Sequence, residues 1–320
     1  MLRRAGWFVV KRWLGINPHL PIGPELDRQI AAVNEQHWSA PSVDRLVLLA
    51  FDEYHDDSGR PVGPAVRRRG LGSDLYASNT LVRALCQARP DRYLFGASIH
   101  PYRHGSEDFL AEVAAAGAVL VKWLPAHQNI SPTDPRTKAC LRAAARLGLA
   151  MLIHYGGESS LTPQHAEFED VRPMLAVLKE LRQAGEMPVT LIAHAATPTF
   201  RWQNSAGHQA LISGLATDFA EAPLYAEISA LGAVGRTVWL RRLSNRADLQ
   251  HKLVWGSDYP VPAAPRLFWR SLPPAERRRI AAHPSWVEQS LQLARAMGLA
   301  ETVFTRAASL LRQSEQPRRS

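Results

Sequence analysis

Residues 149–156 read Leu-Ala-Met-Leu-Ile-His-Tyr-Gly, an apolar run that stops at a single histidine, His154. Residues 189–196, Val-Thr-Leu-Ile-Ala-His-Ala-Ala, have the same form and stop at His194. In residues 252–260, Lys-Leu-Val-Trp-Gly-Ser-Asp-Tyr-Pro, the carboxylate after the apolar run is Asp258. Such runs fit strands buried on both faces of a parallel sheet. Four more occur at 45–54, 94–101, 118–125 and 224–231. Between them lie segments of helical period at 74–88, 106–116, 135–147, 166–184, 206–220 and 235–247, with two more at 286–297 and 302–312. Asp134 before Pro135 reads as a cap followed by a first-turn proline. Gly148 and Gly185 stand where a helix closes through a left-handed residue.

Strand alternating with helix predicts parallel strands joined by crossover helices. A doubly wound sheet would carry a glycine-rich phosphate turn, G-x-G-x-x-G, after its first strand. No predicted strand has one. The strands end instead in Asp52 and His55, His100, Lys122, His154, His194 and Asp258. Polar groups at the C-terminal ends of successive strands are what a (β/α)₈ TIM barrel gathers around its mouth. The α/β fold expected is therefore that barrel, with seven strands rather than eight, so that its first strand is missing or altered. The predicted organisation is an N-terminal helical segment over 1–44, the barrel over 45–312, and a disordered basic tail over 313–320.

Composition narrows the class. Hydrophobic residues make up 46% of the 320 and charged residues 21%, which suits a packed globular chain. No apolar run approaches the ~18 residues of a membrane span. Two cysteines, Cys86 and Cys140, cannot build a disulfide framework or a thiolate zinc site. A cytoplasmic protein is expected. Of the 38 basic residues five are Lys and the rest Arg, and the net charge is +9. No nucleic-acid-binding motif accompanies that charge, so it reads as surface composition. The expected partner is a small-molecule substrate, with no nucleic acid and no membrane; a homo-oligomer stays open.

His154, His194 and Asp258 occupy the same position on three strands, so a barrel would bring them to one point. Two imidazoles and a carboxylate suit a borderline divalent metal such as zinc. A bound metal would acidify its water, and a carboxylate could take the proton. The plain alternatives are hydrogen-bonded histidines and a capping aspartate.

The pieces His154-Tyr-Gly, Ile192-Ala-His194 and Trp255-Gly-Ser-Asp258-Tyr-Pro260, preceded by Val121-Lys122-Trp-Leu-Pro125, resemble the amidohydrolase superfamily. The likeness runs over roughly residues 45 to 312. It is strongest to the branch of metal-dependent hydrolases and decarboxylases of the aminocarboxymuconate semialdehyde type. The resemblance implies a (β/α)₈ barrel, His154 as a metal ligand, His194 as a metal ligand or a group orienting water or substrate, and Asp258 as ligand and general base. It implies a metal-dependent hydrolase of an amide, ester or lactone, with a decarboxylase as the alternative on the same ligands. The family's first strand ends in His-x-His, which this chain does not contain. Three readings follow: a chain beginning after its first strand, a variant completing the site with Glu53, His55 or His100, or a barrel that binds without catalysing. Weak metal binding is the expectation.

Lys122 lies where some superfamily members carry a carboxylated lysine; an ion pair or a substrate contact is preferred, because a lysine buried without a partner is costly. His100, Trp123 and Tyr155 are candidate substrate contacts, and Trp202 a further pocket aromatic. Glu227 reads as an ion-pair partner of Lys122 or an arginine. The acidic cluster Asp52, Glu53, Asp56 and Asp57 reads as a solvated turn before Gly59-Arg-Pro61.

Overall fold

The computed structural model describes residue 8 and residues 11–62, 72, 75–157 and 163–312. The expected tail over 313–320 and most of the segment before Lys11 lie outside the described residues. All seven expected strands form: β1 (Leu46–Leu49), β2 (Tyr93–Ala97), β3 (Ala118–Trp123), β4 (Ala150–His154), β5 (Thr190–Ala193), β6 (Leu224–Glu227) and β7 (Leu253–Val254). They pair in chain order, each parallel to the next. The fold is a TIM barrel that lacks part of its ring, with β1 and β7 as the edges of the sheet among the described residues.

The helices follow the local signals. Asp134 caps Pro135–Leu147, accepting from the Arg136 N–H, and Gly148 closes it at φ 66°. The segment expected over 166–184 divides into a 3₁₀ turn, Ala166–Glu169, and a helix, Arg172–Gln183, whose first turn holds Pro173. That ring lacks an N–H and suits only a helix start. The helix expected from Asp74 begins at Asn79, because the Ser78 side chain accepts from the Leu81 N–H and caps it there.

Two residues along a strand point to the same face. Leu120, Leu152, Leu191, Tyr225 and Val254 belong to one inward cluster with Val47 and Leu49. Two residues beyond three of these come Lys122, His154 and Glu227. The site therefore sits one pleat above an apolar floor.

That floor is completed from outside the sheet. The C-terminal helix Glu301–Leu310 lays Ala307 and Leu310, followed by Leu311, on the same cluster. The Val303 carbonyl accepts the Trp255 N–H at 3.0 Å, and Arg306 donates to the Gln250 and Leu253 carbonyls. This explains why β7 is two residues long where nine were expected: past Val254 its backbone turns to a helix for a partner. An exposed strand edge invites association with other chains, and here the C-terminal helix seals it. Truncating the fully buried Val303 to Ala is expected to lower stability by about 2 kcal/mol, read from urea denaturation; an unchanged midpoint would mean that the helix does not close the seam.

The N-terminal segment docks elsewhere. Its helix Pro24–Trp38 packs on the helix Trp286–Ala296, with the His37 and Trp286 rings 4.5 Å apart. Asn34 accepts from the Tyr259 hydroxyl at 3.0 Å, steadying the loop that carries Asp258. Among the described residues no helix is long and apolar enough to cross a membrane.

Candidate functional site at the strand mouth

The ends of β4 to β7 turn through backbone conformations that side-chain-bearing residues seldom adopt. His194, Ala195 and Ala196 have φ of 53°, 51° and 51°, and Ala230 and Asp258 have φ of 56° and 54°. Each such residue costs roughly 1–2 kcal/mol, and strain of this kind gathers where function places a side chain against local preference. Gly156 makes the turn possible. A Cβ on it would meet the Thr197 carbonyl oxygen at 2.4 Å, and its φ is 89°. The ends of β4 and β5 thus approach backbone to backbone.

The turn aims His194 inward. Its Nδ1–H donates to the Ser229 carbonyl at 3.0 Å, with the Ser229 hydroxyl at the same distance. The tautomer is thereby fixed, and Nε2 carries the lone pair. Nε2 lies 3.9 Å from Asp258 Oδ2, too long for a direct hydrogen bond. The Asp258 side chain is one-third exposed and opens the site to solvent. The His154 ring stands edge-on to His194 at 4.9 Å, and its buried Nε2 has no hydrogen-bond partner.

Beneath the pair lies Glu227, buried at the end of β6. It accepts from the Ser229 N–H at 2.8 Å, from the Ser229 hydroxyl at 2.7 Å and from the His194 N–H at 3.3 Å. Burial raises its pKa, while Ser229 and the positive charge of Lys122 pull it down. The reading of Glu227 and Lys122 as opposed charges agrees with that influence. Arg236, also buried, reaches in from the loop after β6 and donates to the Gly157 carbonyl at 2.6 Å. Burial first, then surrounding positive charge, holds both site histidines far below the usual histidine range; for His154 the charges include Lys122 and Arg236, and for His194 Arg236 and Lys122. Both rings are neutral at pH 7.

The three residues read from the sequence as metal ligands thus meet in pairs, His154 with His194 and His194 with Asp258. They do not form a set of three: among the described residues no group of three His, Cys, Asp or Glu side chains is arranged to hold a metal. Among the described residues the donor set therefore falls short of the three ligands that a catalytic zinc ion takes.

Three expected substrate contacts fall elsewhere. Trp123 is fully buried in the outer core, and its indole N–H donates to the Ile99 carbonyl at 2.7 Å. Tyr155 is likewise buried in the outer core. Strand parity is the reason: each follows an inward residue, Lys122 or His154, and so faces the helices. His100 is buried with both ring nitrogens engaged, Nδ1 accepting from the Tyr102 N–H at 3.0 Å and Nε2 against the Gln128 carbonyl at 2.6 Å. It stacks on His55 at 4.4 Å. His55 and His100 therefore form a structural pair and do not complete a ligand set with Glu53. Asp52 is no solvated turn residue either; it is buried and accepts from the His100 N–H and from Arg103. The solvated turn begins at Asp56, which accepts from Ser58 and Arg60. Trp202 is exposed and stacks on Phe200.

A family model described as amidohydrolase matches residues 69–283. The chain belongs to the amidohydrolase family. Among solved structures, this amidohydrolase is similar to an uncharacterized TIM-barrel protein from Bordetella bronchiseptica, with 16% identity, a TM-score of 0.53, and coverage of 93% of this chain and 91% of that one. A putative 2-pyrone-4,6-dicarboxylic acid hydrolase from Pseudomonas putida follows at 16% identity and TM-score 0.47, covering 73% and 74%. A 5-carboxyvanillate decarboxylase from Sphingomonas paucimobilis has 16% identity and TM-score 0.42, covering 71% and 70%. At these identities the likeness is one of fold. No curated protein matches the sequence.

Proposed function

We propose that this amidohydrolase hydrolyses a small organic amide, ester or lactone at the strand mouth, with His194 as the general base and Asp258 holding the attacking water. The observation that carries the reading is the fixed tautomer of His194. Its Nδ1–H is committed to the Ser229 carbonyl, and its lone pair on Nε2 faces Asp258 at 3.9 Å. A water lying against both groups can donate one hydrogen to each, which leaves its own lone pair for a carbonyl carbon. Because His194 is held neutral by burial and neighbouring charge, it is in the basic form at neutral pH.

The test is a panel of amides, esters and lactones with the wild type and two variants. His194→Ala is expected to lower kcat by about 10²–10⁴-fold with KM little changed, and Asp258→Asn by about 10²-fold, as for loss of general-base catalysis. Hydrolysis at wild-type rate in His194→Ala would remove the reading. Release of carbon dioxide from a carboxylated substrate, without incorporation of solvent oxygen, would replace hydrolysis by decarboxylation.

A further inference from the structure

The loops that leave β5, β6 and β7 carry His194, Ser229 and Asp258 near their starts, and farther along they carry exposed apolar side chains. Trp202 is 77% exposed, Val234 68%, Leu267 41% and Trp269 60%. Single exposed apolar residues are ordinary on a protein surface. These four differ in their neighbours. Trp202 follows Arg201, and Leu267 and Trp269 stand between Arg266 and Arg270, all three arginines being exposed. None of the three has a carboxylate partner among the described residues. The loops are also joined to one another. The Phe200 ring stacks on Trp202 at 4.6 Å, and a Cβ on Gly235, next to Val234, would lie 3.1 Å from that ring. The Gly232 carbonyl accepts the N–H of Ala264, shortly before Leu267, at 2.8 Å. Residues 197–217, 229–247 and 259–275 hold seven arginines and no aspartate, glutamate or lysine.

We propose that this rim docks on the surface of an anionic bilayer, with the two indoles, Val234 and Leu267 entering the headgroup layer and the exposed arginines meeting lipid headgroups. Indole and arginine are side chains that settle at a membrane interface, each with an apolar body and a polar end that stays wet. A rim without acids matches the negative potential of a leaflet that holds anionic lipid. Lying on a bilayer needs no spanning run, so the lack of one does not oppose the contact. Nucleic acid fits less well. One face of each indole is already covered, that of Trp202 by Phe200 and that of Trp269 by the Arg270 guanidinium at 4.6 Å. Val234 and Leu267 offer a base neither a stacking plane nor a donor, whereas a bilayer takes up aliphatic groups directly. Because the anchors follow His194, Ser229 and Asp258 on the same loops, docking turns the strand mouth toward the membrane. The proposal does not depend on which reaction the site performs.

The test is co-sedimentation of the full chain with vesicles of phosphatidylcholine alone and of phosphatidylcholine with phosphatidylserine. Binding is expected to be about tenfold tighter or more on the second, and to weaken steeply as salt rises from about 0.1 M to about 0.5 M. Trp202→Ala combined with Trp269→Ala is expected to weaken binding to the anionic vesicles by about tenfold or more. Arg201→Gln, Arg266→Gln and Arg270→Gln together are expected to abolish the preference for phosphatidylserine. All five side chains are exposed, so the melting temperatures of both variants should be nearly unchanged. Trp13, 63% exposed in the N-terminal segment, supplies the control, and Trp13→Ala is expected to bind as the wild type does. No binding to anionic vesicles, binding unchanged in the double tryptophan variant, or a loss in Trp13→Ala as large as in that variant overturns the proposal. So does binding of a single-stranded oligonucleotide, dependent on the three arginines, by a chain that ignores vesicles; the rim would then be a nucleic-acid surface.

Discussion

Lowering the pH from 8 to 4.5 is expected to take most of the stability from this protein. The physical cause is a set of histidines buried in the neutral form. His100 is displaced from 6.5 to about 3, chiefly by burial and then by the neighbouring His55. Burial also lowers His55, His37 and His208. Each of these groups binds a proton more weakly folded than unfolded, so the unfolded chain takes up protons first as the pH falls. The contribution of such a group is fully present above 6.5 and is lost as the pH drops through the window down to the folded value. At about 1.4 kcal/mol for each pH unit of that window, His100 alone removes roughly 3 kcal/mol between pH 6.5 and 4.5. His55, His37 and His208 act in the same direction, against a total stability typically of about 5–15 kcal/mol. Urea midpoints measured at pH 8, 6.5, 5.5 and 4.5 should stay nearly level to 6.5 and then fall steeply. In His100→Asn the fall should be shallower, whatever the starting stability. A midpoint as high at pH 4.5 as at pH 8 would show that these rings find acid-state partners.

The fold was legible because each β-strand announces itself twice, by an apolar run and by the polar residue that ends it. His154, His194 and Asp258 were read by that rule, and the structure brings them together in pairs, His154 with His194 and His194 with Asp258. The rule also misled. It treats every polar or aromatic residue near a strand end as facing the mouth, whereas parity sends Trp123 and Tyr155 outward while Lys122 and His154 go in. His100 passes the rule and fails for another reason: backbone groups at Tyr102 and Gln128 take both its nitrogens, and no sequence pattern reports a tertiary backbone partner. Arg236 was missed because it follows a loop rather than an apolar run, in a chain where arginine is common. Ser229 stands two residues after Glu227, just past the end of β6, and that spacing was a usable signal. The left-handed turn at Ala195 and Ala196 leaves no trace, since glycine or asparagine would be the expected residue there. The C-terminal helix was foreseen as a helix, but an amphipathic pattern does not say which groove receives it. That groove is the edge beside β7, which the chain's own far end covers.

Gly256→Ala is expected to be among the most damaging single methyl additions in the chain. A Cβ at this position would stand 2.3 Å from Glu227 Oε1 and 3.2 Å from its Cδ, with Ser229 Cβ at 3.5 Å. The clash is with a buried carboxylate held by three hydrogen bonds. To admit the methyl group, Glu227 must give up its grip on the Ser229 N–H, the Ser229 hydroxyl or the His194 N–H. Hydrogen bonds to a charged acceptor contribute about 1.5–3 kcal/mol each, and overfilling a packed site costs roughly 1–3 kcal/mol. A loss of about 3 kcal/mol is therefore expected in urea denaturation. The catalytic consequence follows from the same displacement. Ser229 fixes the tautomer of His194, so a shifted Ser229 misplaces the lone pair on Nε2, and kcat should fall at least 100-fold while KM changes little. A double-mutant cycle separates this from a general packing defect. Glu227→Asp shortens the acid by one methylene and withdraws it from Gly256. In that background Gly256→Ala should cost less than about 1 kcal/mol, a coupling that only the predicted contact produces. If the two changes add instead, the methyl group is being refused by something other than Glu227, and the acid is not what holds Ser229 and His194 in register.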